Sequence, residues 1–307
     1  MNMKKTAIIA LIIVFSAFSA FAQPATELPE RSWLTYTDTT GVTTVLIAEP
    51  QRIVSLNPNI TETLWAIGAG GKLVGRTDYC NYPAEASAAE SVGDLYNINI
   101  EKVVSLAPDV VLLSSLISLD TITALRNLGV NVIILNMQES LEGTYDMIED
   151  VGAIVNCPEQ AAAVVADMKA RIAAVEAKVA GAEPVSVYYC AGYGDYGDFT
   201  ATGDTFIHGV LTIAGGNNIA SDGVYWSYSR EQLVAKDPQV ILFPEYSYDN
   251  FDNDTAYFRI TVPYSYLTAV RENRMYRING DIMDRQGPRT ADAIEQVAAL
   301  LHPELFN

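Results

Sequence analysis

Histidine is the scarcest chemically useful residue in this 307-residue chain, which holds only His208 and His302. Zinc or manganese capture draws on histidine together with carboxylates, and these two fall in unrelated segments, so no bare transition-metal site is expected. A serine hydrolase is disfavoured for a related reason: no Gly-x-Ser-x-Gly elbow is present to hold a nucleophile beside a base. Cys80, Cys157 and Cys190 form an odd set whose spacings match no metal motif, and no chemistry is assigned to them. Cations are few, 19 lysines and arginines against 37 acidic residues, for a formal charge of −18. Such a surface repels phosphate backbones, so nucleic acid is not an expected partner. Gly68 to Gly71 and Gly215-Gly216 follow predicted helices, which makes them helix stops and not phosphate cradles.

Long apolar runs are absent after the first. Lys4 and Lys5, the apolar stretch Ala7 to Phe18 and the Ala20-Phe21-Ala22 pattern predict a secretory signal over residues 1–22, shorter than a bilayer span. No cysteine stands at the cleavage point, so the mature chain is expected to diffuse freely in a periplasm without a lipid anchor. Later runs such as Val110 to Leu113 and Val130 to Leu135 have strand length.

What is present is alternation. After a predicted hairpin around Asp38-Thr39-Thr40-Gly41, short apolar strands alternate with helical segments through residues 23–157, as in a parallel sheet covered on both faces. A helix is predicted over residues 158–181, opened by Pro158, stopped by Gly181 and lined by Val164, Val165, Met168, Ile172, Val175 and Val179. At about 1.5 Å per residue it is long enough to join two lobes, the alternative being a surface helix of one domain. The α/β pattern resumes over residues 182–307. Glu101 to Leu113 can be laid on Glu231 to Phe243 without a gap, each running from a helix through Pro108 or Pro238 into a buried strand. The fold expected is therefore α/β, two Rossmann-like lobes with parallel central sheets, one rigid linking helix and a ligand cleft between the lobes.

The chain holds 17 tyrosines, and many fall at predicted strand ends. Tyr79, Tyr82, Tyr96, Tyr193, Tyr196, Tyr225 and Trp226 are candidates for gripping a large ligand that is partly apolar and partly hydrogen-bonding, although any one ring has an equal claim to packing the lobes. Glu101 and Glu231 each open a predicted helix. They either cap it or present one carboxylate per lobe to arginines of a two-fold membrane partner.

Arg52-Ile-Val-Ser-Leu56, Thr61-Glu62, Asp78-Tyr79-x-x-Tyr82-Pro83, Glu101 to Val110, Gly215-Gly216-Asn217-Asn218-Ile219 and Ser229-Arg230-Glu231-Gln232 together resemble the long-helix (class III) periplasmic binding proteins of cobalamin, ferric-siderophore and haem importers. The resemblance spans Thr35 to Leu301. It implies a shallow interlobe cleft with little hinge motion, no catalysis and no resident cofactor. It also implies a monomer that delivers a small-molecule metal chelate to the permease dimer of an ABC transporter, with Glu101 and Glu231 as docking residues. Tyr79-x-x-Tyr82-Pro83 and Tyr225-Trp226 look most like cobalamin-binding members. Where those members carry a tryptophan before the first docking glutamate, this chain has Leu95 and Tyr96. A haem binder would draw an axial ligand from Tyr79, Tyr193 or His208, and an anionic ferric chelate would need Arg76, Arg285 or Arg289. A periplasmic chelatase or hydrolase is the alternative of another class.

Overall fold

The computed structural model describes residues 32–114, 116–135, 138–194, 197–246 and 250–306. The expected signal over residues 1–22 and the candidate Tyr196 lie outside the described residues. The first hairpin pairs β1 (Leu34–Thr37) with β2 (Thr43–Leu46). Asp38 fixes its turn, Oδ1 accepting from the Thr40 and Val42 amides and the Thr40 hydroxyl, while Gly41 supplies a φ of +78°.

The N-terminal lobe runs through β3 (Ile53–Ser55), α1 (Pro58–Ala66), β4 (Leu73–Arg76), β5 (Glu90–Ser91), α2 (Ile100–Ser105), β6 (Val110–Leu113), α3 (Leu119–Asn127), β7 (Val132–Ile134) and α4 (Leu141–Ile154). Its strands form a parallel sheet in the order β5-β4-β3-β6-β7. Successive side chains leave on opposite faces: Ile53, Leu112 and Ile133 enter one apolar cluster, Val54, Val111 and Val132 another. That double burial is why these strands read as continuous apolar runs. Helix α4 escaped the sequence reading because Gly143 and Gly152 weaken its helical signal. Gly152 is there for packing, since a Cβ on it would lie 2.4 Å from the Ala161 Cβ of the next helix.

That helix, α5 (Pro158–Val179), buries Ala161, Val165, Met168, Ile172, Val175 and Val179 at alternating spacings of four and three. Its 22 residues span about 33 Å. It packs on α4 of the first lobe and, once the chain has crossed, on α11 of the second.

The C-terminal lobe comprises β8 (Val185–Gly192), β9 (Asp198–Thr200), α6 (Phe206–Ile213), β10 (Gly216–Asn218), β11 (Ser227–Tyr228), α7 (Arg230–Lys236), β12 (Val240–Glu245), α8 (Phe251–Ile260), α9 (Thr268–Arg271), β13 (Met275–Asn279), α10 (Gly280–Asp284) and α11 (Thr290–Leu301). Strands β10, β8, β12 and β13 run parallel in that order. One refinement to the expected parallel sheet is that β9 and β11 join antiparallel. The eight-residue β8 is long enough to pair β10 along its first half and β9 along its end, with a bulge between Cys190 and Gly192.

The sequence echo has a topological meaning. In each lobe the first strand is flanked by the strands that follow the lobe's first two helices, β4-β3-β6-β7 in one and β10-β8-β12-β13 in the other. The repeated blocks are α2–β6 and α7–β12, equivalent units of the two sheets. A single apolar cluster runs from Ile53 and Leu112 through Val165, Met168 and Ile172 to Val187 and Leu242, so the lobes share a core. Relative motion of the lobes would have to open that core.

Candidate functional site

Ligands of open α/β sheets bind beyond the carboxyl ends of the strands, where strand order reverses. Here two such ends face each other. A cavity of about 520 Å³ lies between them, its wall built by the residues that follow β3 (Asn57, Pro58, Asn59), β4 (Tyr79), β6 (Leu116), β7 (Glu139), β12 (Tyr246) and β13 (Asp281, Met283 to Gln286). Leu95, Phe206, Ile207 and Trp226 complete it.

Of the candidates from sequence, Tyr79, Trp226 and Arg285 line this cavity. The structure does not bring Tyr82, Tyr96, Tyr193 or Tyr225 into the wall. Tyr82 instead covers the guanidinium of Arg289, 4.0 Å from its ring centroid. Tyr193 packs among Tyr257, Phe258 and Tyr264 and donates to Asp254 at 2.7 Å. Burial and that carboxylate together push its hydroxyl pKa well up. Tyr96 and Tyr225 are exposed, at 72% and 85%.

Trp226 reaches the cavity at a cost in backbone strain. Tyr225 and Trp226 have φ of +56° and +61°, which for non-glycine residues costs on the order of 1 kcal/mol each. The strained turn is pinned from below: the Tyr225 amide donates to Asp204 Oδ2 at 3.0 Å and the Trp226 amide to Thr202 Oγ1 at 3.1 Å. The hydrogen bond from the Thr202 hydroxyl, helped by the Tyr225 amide, holds the Asp204 carboxyl below its usual range.

The lobes are riveted behind the cavity. Glu62 of α1 is 3% exposed and receives Arg289 Nε and Nη2 at 2.7 and 2.6 Å and Arg285 Nη1 at 3.0 Å, from the opposite lobe. Arg285 also donates to Asn81 Oδ1, the Tyr79 carbonyl and Asp281 Oδ1, at 2.8, 3.1 and 2.7 Å. Two hydrogen bonds also cross between the lobes: the Phe206 amide donates to Glu139 Oε2 at 3.0 Å and Asn59 Nδ2 to the Gln286 carbonyl at 3.3 Å. On the floor, Asp284 accepts from Tyr246 at 2.5 Å and distantly from Tyr189 at 3.5 Å. It faces open space yet is hemmed in by protein, and this desolvation raises its carboxyl pKa.

Asn57, Asn59, Glu139, Tyr246, Asp281 and Asp284 escaped the sequence reading. Their common signal is position just after a parallel strand, and the attention given to aromatic residues passed over it. Glu101 and Glu231 are exposed and make no hydrogen bond or ion pair among the described residues. Capping falls to Asn99, which accepts from the Lys102 amide, and to Ser229, which accepts from the Gln232 amide. The other haem-ligand candidate, His208, contacts Asn218 at 3.3 Å and does not line the interlobe cavity, and His302 Nε2 lies 3.0 Å from the Gly215 carbonyl. All three cysteines are free thiols. Burial pushes those of Cys80 and Cys190 up, which makes them unreactive. No helix among the described residues is long and apolar enough to cross a membrane.

The periplasmic binding protein family model matches residues 53–281. An ABC transporter substrate-binding lipoprotein of Bacillus subtilis, itself uncharacterized, is 31% identical over 280 residues, 89% of this chain and 87% of that protein. The vitamin B12-binding protein of Vibrio cholerae is 30% identical over 266 residues, 85% of this chain and 93% of its own length. A crystal structure of a periplasmic vitamin B12-binding protein from Vibrio cholerae has a TM-score of 0.71 at 29% identity, covering 83% of this chain and 98% of that one. A periplasmic haem-binding protein from Pseudomonas aeruginosa superposes equally well, with a TM-score of 0.74 over 83% of this chain and 93% of that one. At 24% identity that likeness concerns the fold alone.

Proposed function

The chain belongs to the periplasmic binding protein family, whose members bind cargo for ABC transporters and are not enzymes, and on that premise we propose that its cargo is a corrinoid. The observation that carries this reading is the composition of the cavity wall. Tyr79, Leu95, Leu116, Phe206, Trp226 and Met283 offer apolar and aromatic faces, while Asn57, Asn59, Asp281 and Asp284 offer hydrogen-bonding groups. A corrin is a broad, largely apolar ring edged with carboxamides, and such a wall suits both parts. The strained Tyr225-Trp226 turn supports the same reading, because strain that packing alone does not require is characteristic of ligand clamps. The relatives named for vitamin B12 add weight.

In this reading residues 1–22 direct export, residues 23–157 and 182–307 are the two lobes, and residues 158–181 join them. The mature protein works unanchored in the periplasm as a monomer. It hands its cargo to a permease dimer in the inner membrane, which it meets through Glu101 and Glu231. Tyr82, Tyr96, Tyr193 and Tyr225 then shape the region around the cleft, while Tyr79, Trp226 and Arg285 face the cargo.

Calorimetry with cyanocobalamin and dicyanocobinamide tests the cargo. Saturable binding is expected, and replacing Tyr79 and Trp226 together by alanine weakens it by about 2 kcal/mol or more, as for buried aromatic anchors. No heat and no saturation with either corrinoid would end the corrinoid reading.

A further inference from the structure

Of the four charged residues in the cavity wall, three are acidic: Glu139, Asp281 and Asp284. The fourth, Arg285, has no guanidinium capacity to spare on its two terminal nitrogens, which already serve Glu62, Asn81, the Tyr79 carbonyl and Asp281. Arg289 behind it is held by both oxygens of Glu62 and by the Tyr82 ring. Among the described wall residues, then, no cation is left to receive a carboxylate.

We infer that Asp284, set by Tyr246 and Tyr189, makes the cleft a charge filter, admitting metal chelates edged with neutral N–H donors and excluding those edged with free carboxylates. The inference rests on the corrinoid reading and deepens it. A carboxylate has about four acceptor positions. Asp284 uses one in a short bond from Tyr246 and one in a long contact with Tyr189, so acceptor capacity remains toward the cavity. The Tyr246 hydroxyl is held in place because its ring lies on bare backbone: a Cβ on Gly280 would stand 2.5 Å from it. Desolvation already makes ionised Asp284 costly, so a carboxamide N–H relieves the site while a second carboxylate compounds the cost.

Matched pairs of probes test this, each differing only in amide against acid: dicyanocobinamide against its derivative with one side-chain amide hydrolysed, and the bis-amide of haemin against haemin. At neutral pH the amide member of a pair is expected to bind about 10-fold or more tightly, since like-charge contacts in a desolvated site are disfavoured. Asp284→Asn should bring the ratio to about 3-fold or less by relieving the acid probe. Tyr246→Phe removes the short donor that favours the ionised Asp284 carboxylate, so it should narrow the ratio as well, and gives a second reading if the first variant folds poorly. Equal affinities within each pair, or a preference for the acid, would overturn the filter. Discrimination within the haemin pair with no corrinoid bound would keep the filter and remove the corrinoid cargo, so the two readings fail separately.

Discussion

Glu62 shows how much a single residue depends on partners far along the chain. A carboxylate 3% exposed is tolerable only because two guanidiniums, 223 and 227 positions away, meet both of its oxygens. Breaking such a buried pair leaves the remaining charges uncompensated. Glu62→Ala should therefore cost about 3–5 kcal/mol in urea unfolding, with Arg289 left without a counter-charge and Arg285 with Asp281 alone. A loss below about 1 kcal/mol would mean that water reaches the pair and screens it. From the sequence Glu62 stood out only as part of the family resemblance, and Arg285 and Arg289 as free cations for an anionic ligand. Local pattern could not reveal that Glu62 pairs with both arginines, because the contact closes only when the second lobe folds back onto the first.

At the scale of elements, α5 and α11 carry the join between the lobes. Arg171 of α5 meets Glu295 at 2.6 Å and Asp292 at 2.5 Å on α11. The hydrogen bond from Arg171 holds the Glu295 carboxyl below its ordinary range. A folded-state pKa below the unfolded one stabilises the protein above the unfolded value, about 4.3, and that contribution is lost as pH falls through the lower folded value. Both partners are more than a third open to solvent or close to it, so the contribution is about 1 kcal/mol at most. Thermal unfolding of Glu295→Gln should lie slightly below that of the parent at neutral pH, and the two should converge in acid. A gap that widens toward low pH would contradict the assignment. Helix α5 itself was legible in the sequence to within two residues, because Pro158 and the spacing of its apolar residues are local signals. Helix α4, beside it, was not, because its glycines answer to a neighbour's approach.

For the whole molecule, one core shared by both lobes and a cleft riveted by Glu62, Glu139 and Asn59 favour a body that changes little when filled. Delivery must then be read from the surface. Glu101 and Glu231 have no partners among the described residues and do not cap their helices, so changing both to glutamine should shift stability by no more than about 0.5 kcal/mol each. Corrinoid binding should be unaffected. If they dock on permease arginines, transport by a reconstituted importer should fail with the double variant, because amides do not replace charge-assisted contacts. Parental transport rates would remove these residues from the docking surface.

The sequence by itself determined the α/β alternation, the doubly buried strands, the linking helix and the matched α2–β6 and α7–β12 units. All of these are set by hydrophobic period and by turn or cap chemistry within a few residues. Tertiary structure alone decided which tyrosines reach the cavity and which pack: Tyr79 and Tyr82 lie three residues apart, yet one lines the wall and the other covers Arg289. It alone decided the cavity's charge as well. Counting ionisable residues cannot tell an arginine already held by Glu62 from one left open to a ligand, since that depends on which strand ends the fold brings face to face.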